Sequence, residues 1–250
     1  MLLLSCTTSG DDASGPNSGS PSGFTTRYEN PSATDQKPAT FLRNRKLPET
    51  AAQALNTLVV LDQQIMLVSR SCDGEGSAYD PQSRRIELCY DDTVEERELF
   101  QNAGHHPADD EAAAIATETL YHEAGHALID LLDVSLDSRQ EEDAADQFAA
   151  LMLLRTGPAG ERQLRTAAEA YELSAAANTT ADASGRDEHS PDPTRAANHL
   201  CYLYGSAPTR NQDLATTSRI PSQRAAGCGR EWDRAHTAWM KRLQPLLRKQ

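Results

Sequence analysis

Two segments rich in strand-forming residues are separated by a polar loop in the first half of the chain. They are QQIMLVSRSC (63–72) and SRRIELCYD (83–91). Between them lies DGEGSAYDPQ (73–82), whose Asp, Gly and Pro residues favour a loop. The pattern therefore predicts a β-hairpin in which Cys72 and Cys89 are placed to cross-link the two strands.

The rest of the pattern is mainly helical. A short helix is predicted from Pro48, because proline is tolerated in the first turn. An alanine-rich helix is predicted from Asp109 to about Leu132, with acidic residues at its N-terminus, where the helix dipole favours them. Further helices are predicted from Asp137 or Ser138 to Gly157, over 159–177, from an N-cap at Ser190 to Gly205, and over 229–249 with an interruption near Pro245.

These elements predict the domain organisation. Residues 7–40 have low hydrophobicity and many turn formers, so we expect a disordered linker there. A chain of 250 residues is long enough for one sizeable domain, which we place at 41–250. We expect an α+β fold, in which a small sheet built around the 64–90 hairpin packs on the 110–132 helix and the C-terminal half is mainly helical.

Charge excludes two classes of partner. The formal net charge is −13 at pH 7, whereas nucleic-acid binding needs clustered Lys and Arg. The same charge argues against adhesion to an anionic membrane through basic patches. No apolar run approaches the roughly 20 residues that span a bilayer.

The N-terminus predicts another form of membrane attachment. Residues 1–6, MLLLSC, resemble the end of a bacterial lipoprotein signal peptide, with Cys6 as the lipidated residue. The segment has no basic region and is short for such a signal, so either translation starts upstream of Met1 or the resemblance is chance. The alternative is a disordered cytosolic tail. The lipoprotein interpretation predicts an extracytoplasmic protein, anchored in the cell envelope or secreted, that touches a membrane only through this lipid.

The other four cysteines agree with an oxidising compartment. None lies in a CxxC pair, which argues against a structural zinc knuckle. Of the three ways to pair them, we favour Cys72–Cys89 and Cys201–Cys228, because each closes a short loop. Four free thiols in a reducing cytosol are the alternative.

The alanine-rich helix carries the motif His122-Glu-Ala-Gly-His126. Residues i and i+4 of a helix share one face, so both imidazoles can bind one zinc ion. Glu123 lies one residue round the helix, where it can act as general base on a water held by that ion. Gly125 is suited to close approach by a neighbouring element. The alternative is a helix with two ordinary histidines.

A catalytic zinc site needs a third protein ligand. Glu142 and Asp146 are again i and i+4, on the next predicted helix, which a short turn brings back over the histidines. Acids on a helix usually form a solvated face. Here the intervening alanines allow close packing, and Phe148 and Met152 indicate a buried helix, on which an acid requires a cation.

HExxH followed by ExxAD resembles the gluzincin metallopeptidases, and in particular the branch of the CaaX prenyl peptidases and related heat-shock peptidases. The resemblance implies a zincin-like fold with Glu142 as third zinc ligand and Asp146 as the carboxylate that orients a zinc-binding histidine. Over residues 45–250 the chain is similar to a family of secreted bacterial metallopeptidases with undefined substrates. That similarity rests on YDPQSRRIELCYD, YHEAGHALIDLLD, EEDAADQFAALML and DEHSPDPTRAANHLCYLYG.

The last of these segments supplies two more candidates. The CaaX-type branch has a His-Pro segment followed by an Arg, and here His189-Ser-Pro191 precedes Arg195, with Ser190 inserted. The resemblance implies that His189 donates to the oxyanion of the transition state, and that Arg195 pairs with Asp146 or Glu142. An equally weighted alternative is that Arg195 only supports the acids structurally.

The sequence thus predicts zinc-dependent hydrolysis of a peptide or protein substrate. Zinc would polarise the scissile carbonyl and activate water, while Glu123 carries the proton to the leaving amine. Two alternatives stay open: a non-catalytic zinc-binding envelope lipoprotein, and a metal-dependent amidase acting on cell-wall peptides. The intact Glu123 argues against the first, because a purely structural zinc site does not need that acid.

Overall fold

A four-stranded sheet forms one layer of the molecule. The computed structural model describes residues 22–177, 189–217 and 219–248. The strand order is β1-β2-β4-β3; β1, β2 and β4 are parallel to one another, and β3 runs antiparallel to β4 at the edge. The strands are β1 (Gly23–Tyr28), β2 (Gln64–Arg70), β3 (Ala78–Asp80) and β4 (Arg85–Cys89).

The predicted hairpin between 63–72 and 83–91 is wrong, because these strands pair in parallel. The segment expected to be a loop contains β3, and the real hairpin joins β3 to β4. Asp80 forms its turn: Oδ1 accepts from the backbone N–H of Gln82 at 2.9 Å, and Oδ2 accepts from the Ser83 hydroxyl. The disulfide Cys72–Cys89 is present as predicted, and it joins the C-terminal ends of two parallel neighbours.

The prediction of a disordered linker over 7–40 is wrong for its second half. Residues 1–21, which include Cys6, lie outside the described residues. Residues 23–28, GFTTRY, form β1, which pairs with β2 and buries Phe24. Thr, Phe and Tyr favour strands, but the polar composition of the surrounding stretch hid this short segment. The folded domain therefore begins at least 18 residues (41 − 23) before the predicted boundary.

Nine helices lie within the described ranges, and most match the prediction. Asp137 caps α5, since its side chain accepts from the backbone N–H of Gln140. Ser190 is not a helix cap as predicted, because Pro191 takes that position and the Ser190 hydroxyl donates to Asp143. The helices are α1 (Gln36–Arg45), α2 (Leu47–Leu58), α3 (Asp92–Asn102), α4 (Asp109–Leu131), α5 (Ser138–Leu154), α6 (Pro158–Ala177), α7 (Asp192–Ser206), α8 (Gln212–Thr216) and α9 (Ser222–Leu243).

Helix α4 is the centre of the fold. It packs on β3 and β4 of the sheet and on helices α2, α3, α5 and α6, so most of its residues are buried. Helix α7 packs on α6 and α9, and the second predicted disulfide, Cys201–Cys228, links α7 to α9. The predicted α+β fold, with a small sheet on the HExxH helix and a mainly helical C-terminal half, is confirmed.

No helix in the described part of the chain is both long enough and apolar enough to cross a bilayer.

Candidate metal centre

The site forms where α4 and α5 approach each other closely. Gly125 permits this approach, because a Cβ atom added there would lie 2.9 Å from Cα of Ala145 and 3.3 Å from Cβ of Phe148. The predicted role of Gly125 in close packing is thereby confirmed. The contact aligns the two histidines of α4 with the acids of α5.

Three atoms from these helices converge on one point. His122 Nε2 and His126 Nε2 are 3.2 Å apart. Glu142 Oε2 lies 3.2 Å from the former nitrogen and 3.4 Å from the latter. All three side chains are largely buried. Donor atoms about 2.0–2.1 Å from one tetrahedral zinc ion are separated by roughly 3.3 Å, so the spacing fits such an ion.

The chemistry of the donor set also fits a cation. Glu142 Oε2 is buried, and no described residue directs an N–H at it with hydrogen-bond geometry, although imidazole nitrogens surround it. A buried carboxylate oxygen without such a partner is costly unless a cation is bound. Burial acts to raise the pKa of Glu142, but interactions with His122, His126 and His189 outweigh it and hold the pKa well below its usual range.

A buried ion pair supports His122 from behind. Asp146 Oδ1 lies 2.9 Å from His122 Nδ1, and Arg195 donates through Nε to Asp146 Oδ2 at 2.9 Å. Arg195 therefore pairs with Asp146, one of its two predicted partners. Burial would raise the pKa of Asp146, but the Arg195 charge and His122 lower it strongly. An ionised Asp146 keeps a proton on Nδ1 and turns Nε2 toward the site.

His126 has its own carboxylate partner, which the sequence did not suggest. Glu141 Oε1 lies 3.0 Å from His126 Nδ1, so adjacent acids serve opposite sides of the site. The Glu142 carboxylate lies beside the Nε2 atoms of His122 and His126, whereas the Glu141 carboxylate contacts Nδ1 of His126. The only sign of this second carboxylate in the sequence was the pair of adjacent acids Glu141 and Glu142.

Glu123 borders the same site from α4. It is 8% exposed, and burial raises its pKa, while the charges of His122 and His126 oppose the rise. Glu123 lines a cavity together with Tyr79 of the edge strand β3, whose backbone N–H also acts to lower the pKa of Glu123. A carboxyl group with a raised pKa beside the site is suited to accept and release a proton.

His189 lies at the open side of the site. Its Nε2 is 2.9 Å from Glu142 Oε2, its side chain is 42% exposed, and its ring stacks on His122 with centroids 6.1 Å apart. The structure thus brings together every predicted site residue of the domain: His122, Glu123, His126, Glu142, Asp146, His189 and Arg195.

Arg195 is held by residues that sequence reasoning missed. Its guanidinium lies over the Tyr171 ring, 4.3 Å from the centroid. Its backbone carbonyl lies 3.1 Å from His199 Nδ1, and the other nitrogen of this fully buried histidine is 3.1 Å from Glu118 Oε1. The sequence shows that Glu118 lies one helical turn before His122. It does not show that His199 contacts Glu118, because His199 lies on α7, 81 residues later in the chain.

Two imidazoles from a motif helix on a small sheet, and a carboxylate from the following helix, could together hold a metal ion. A family model described as "Putative metallopeptidase" matches residues 28–243, and the chain belongs to that family. The similarity to metallopeptidases predicted from the sequence is thereby confirmed. No curated protein and no solved structure matches the chain.

Proposed function

We propose that this protein is a zinc-dependent peptidase in which His122, His126 and Glu142 hold the metal and Glu123 is the general base. The observation that carries the proposal is the convergence of two Nε2 atoms and one carboxylate oxygen at tetrahedral spacing. Glu123 borders the same site. The family supports metal-dependent peptide hydrolysis in general, and the ligand geometry supports this particular version of it.

The proposed reaction is addition of water across the peptide bond. When bound, zinc supplies Lewis acidity that polarises the carbonyl and acidifies water. Glu123 accepts a proton from the attacking water, whose oxygen bonds to the carbonyl carbon. The C–N bond then breaks, and Glu123 delivers the proton to the leaving nitrogen, which gives a carboxylate and an amine. The raised pKa of Glu123 favours the first of these transfers, in which Glu123 accepts the proton from water.

His189 is proposed to stabilise the transition state. The negative charge that develops on the carbonyl oxygen needs a donor, and His189 lies at the exposed edge of the site, where substrate would enter. The neighbouring Arg195 is engaged with Asp146 behind the metal ligands, so we assign it a positioning role.

The edge strand supports a peptide as substrate. β3 pairs with β4 on one side, and its residues Ala78 and Tyr79 line the cavity that contains Glu123, His122 and Glu142. An extended chain added beside β3 would gain backbone hydrogen bonds while its scissile bond lies over the site. Such binding is independent of side chains, so it supports peptides or proteins as the substrate class.

Both disulfides support an extracytoplasmic location, because such bonds persist in oxidising compartments. The lipid anchor at Cys6 remains a proposal, since this residue lies outside the described part of the chain.

The decisive experiment combines metal analysis with peptide cleavage. We expect about one zinc per chain, lost in Glu142→Ala and retained in Glu123→Gln. Glu123→Gln should lose at least about 10²-fold in hydrolysis, and His189→Ala should keep zinc and lose roughly 10²–10³-fold. Glu98→Gln, an exposed acid on α3, is the matched control with full activity. Equal cleavage by wild type and Glu123→Gln would overturn the peptidase assignment.

The same assay separates the two alternatives. Cleavage of peptidoglycan peptides but not of linear peptides would identify a cell-wall amidase. Bound zinc without hydrolysis of either substrate would identify a non-catalytic zinc protein.

A further inference from the structure

A second cavity adjoins the proposed site along the N-terminal part of the HExxH helix. It has a volume of about 450 Å³ and is lined by His122 and Glu123 at the proposed site. Away from that site, one part of its wall is polar and charged, and another part is apolar, with contributions from helices α3, α4 and α6: Leu99, Ile115, Ala167 and Ala170. A cavity that shares residues with the reacting centre can hold the side chain next to a scissile bond.

One acid of this cavity, Glu96, has a buried oxygen, Oε2, without a hydrogen-bond partner among the described residues. Two other acids of the lining have partners: Glu118 Oε1 lies 3.1 Å from His199 Nε2, and Asp192 accepts from the Ser174 hydroxyl at 2.7 Å. The cavity's arginine, Arg195, is already bound to Asp146. Glu96 is therefore a partly buried residue whose buried carboxyl oxygen has no hydrogen-bond donor and no counter-charge among the described residues.

We propose that this cavity is a subsite for a lysine or arginine side chain of the substrate, with Glu96 as its ion-pair partner. The proposal rests on the peptidase function proposed above. Apolar walls suit the methylene stem of a basic side chain, and the acid suits its charged end. Glu96 and His122 line the same cavity, so one bound side chain can extend from the proposed site toward the acid.

The acids around Glu96 make a cation the favoured occupant. Burial and the charges of Glu118, Asp92 and Glu95 raise the pKa of Glu96 to about 8. A bound ammonium or guanidinium would reverse this effect, because an opposite charge favours the ionised carboxylate. An apolar substrate side chain would instead leave Glu96 protonated and its polar group unsatisfied.

Binding of a basic side chain should therefore release the proton of Glu96. Below about pH 8 affinity should rise with pH, and above it affinity should level off, because lysine stays charged to about pH 10. Peptides with leucine at the same position should lack this pH dependence. Comparison with them therefore separates the titration of Glu96 from that of the other ionisable groups around the cavity. Those groups are Asp92 and Glu95 on α3, Glu118, His122 and Glu123 on α4, Tyr171 on α6, and His189, Asp192 and Arg195.

The test measures binding separately from hydrolysis. Short peptides that differ only by lysine, arginine, leucine or glutamate at one position are titrated into the zinc-loaded Glu123→Gln protein by calorimetry. The lysine and arginine peptides should bind at least about 10-fold more tightly than the leucine peptide. Adding Glu96→Gln to the Glu123→Gln protein should remove this preference and its pH dependence without lowering the affinity for the leucine peptide. Glu98→Gln, an exposed acid on the same helix that does not line the cavity, is the matched control and should keep both.

The outcomes are distinguishable. A preference that survives Glu96→Gln, or tighter binding of the leucine peptide, would overturn the basic subsite. In wild-type protein, kcat/KM for the same peptides should follow the same order. Hydrolysis without this order would refute the subsite and leave the peptidase function intact. A Glu96-dependent preference in binding without any hydrolysis would refute the peptidase function and leave the subsite.

Discussion

Arg195 is the residue that fixes the back of the proposed metal site. It bonds to both oxygens of Asp146, and Asp146 in turn contacts Nδ1 of His122. The Arg195 and Asp146 side chains are only 12% and 4% exposed, so water cannot replace either partner. Loss of one member leaves the other as an uncompensated buried charge.

Arg195→Ala should therefore lower both stability and metal affinity. We expect a loss of about 3–5 kcal/mol in the free energy of unfolding, as for other broken buried pairs. Because Asp146 would no longer be held against His122, zinc affinity should fall about 10–100-fold. Denaturant unfolding and competition with a chelator measure the two effects.

A matched control is the more exposed pair Arg165–Asp213, also joined through two arginine nitrogens. Arg165→Ala should cost about 1 kcal/mol or less and leave zinc affinity unchanged. Unchanged zinc affinity in a folded Arg195→Ala protein would show that Arg195 has no positioning role.

At the scale of elements, the site depends on the spacing between α4 and α5. Gly125→Ala would place a methyl group against Ala145 and Phe148 and force the helices apart. We expect a loss of about 1–3 kcal/mol in stability, typical of overpacking, and weaker zinc binding because His126 and Glu142 would separate. Thermal unfolding with and without zinc measures both.

Gly229→Ala is the control for helix propensity. Gly229 also lies inside a helix, but an added Cβ there would meet no atom within 4 Å. This substitution should stabilise the protein by up to about 1 kcal/mol. Equal effects of the two substitutions would mean that the α4–α5 contact is not tight.

The elements also show which features the sequence could predict. The i, i+4 pairs of α4 and α5 are local, so their ligand faces follow from the helical pattern alone. Strand pairing joins distant residues, so the order β1-β2-β4-β3 and the parallel pairing of β2 with β4 were missed. Helix α3 was missed because its sequence, DTVEERELFQN, is polar with little apolar periodicity. The cavity acid Glu96 was missed with it.

At the scale of the whole molecule, the disulfides secure the parts of the fold that hold the site. Cys201–Cys228 links α7, which carries Arg195, to α9. Protein isolated from its native source should contain this bond and Cys72–Cys89, with no free thiol among the four cysteines, as measured by mass spectrometry of unreduced fragments.

Replacing Cys201 and Cys228 together by alanine should cost about 2–5 kcal/mol of stability. The double alanine variant of Cys72 and Cys89 is the comparison, since its bond spans 17 residues rather than 27 and lies away from α7. Only the former variant should also weaken zinc binding. Four free thiols in native protein would refute both the pairing and the extracytoplasmic assignment.

The proposed ligands come from consecutive helices, whereas Arg195 follows Asp146 by 49 residues. A chain that emerges from its N-terminus during synthesis or export therefore presents both histidines and Glu142 before α7 exists. An ion captured at that stage would be held by a helical pair alone and would exchange readily with competing metals. Docking of α7 and closure of Cys201–Cys228 would then slow its escape. The ions available in the compartment where α7 docks would therefore decide which metal the proposed site holds.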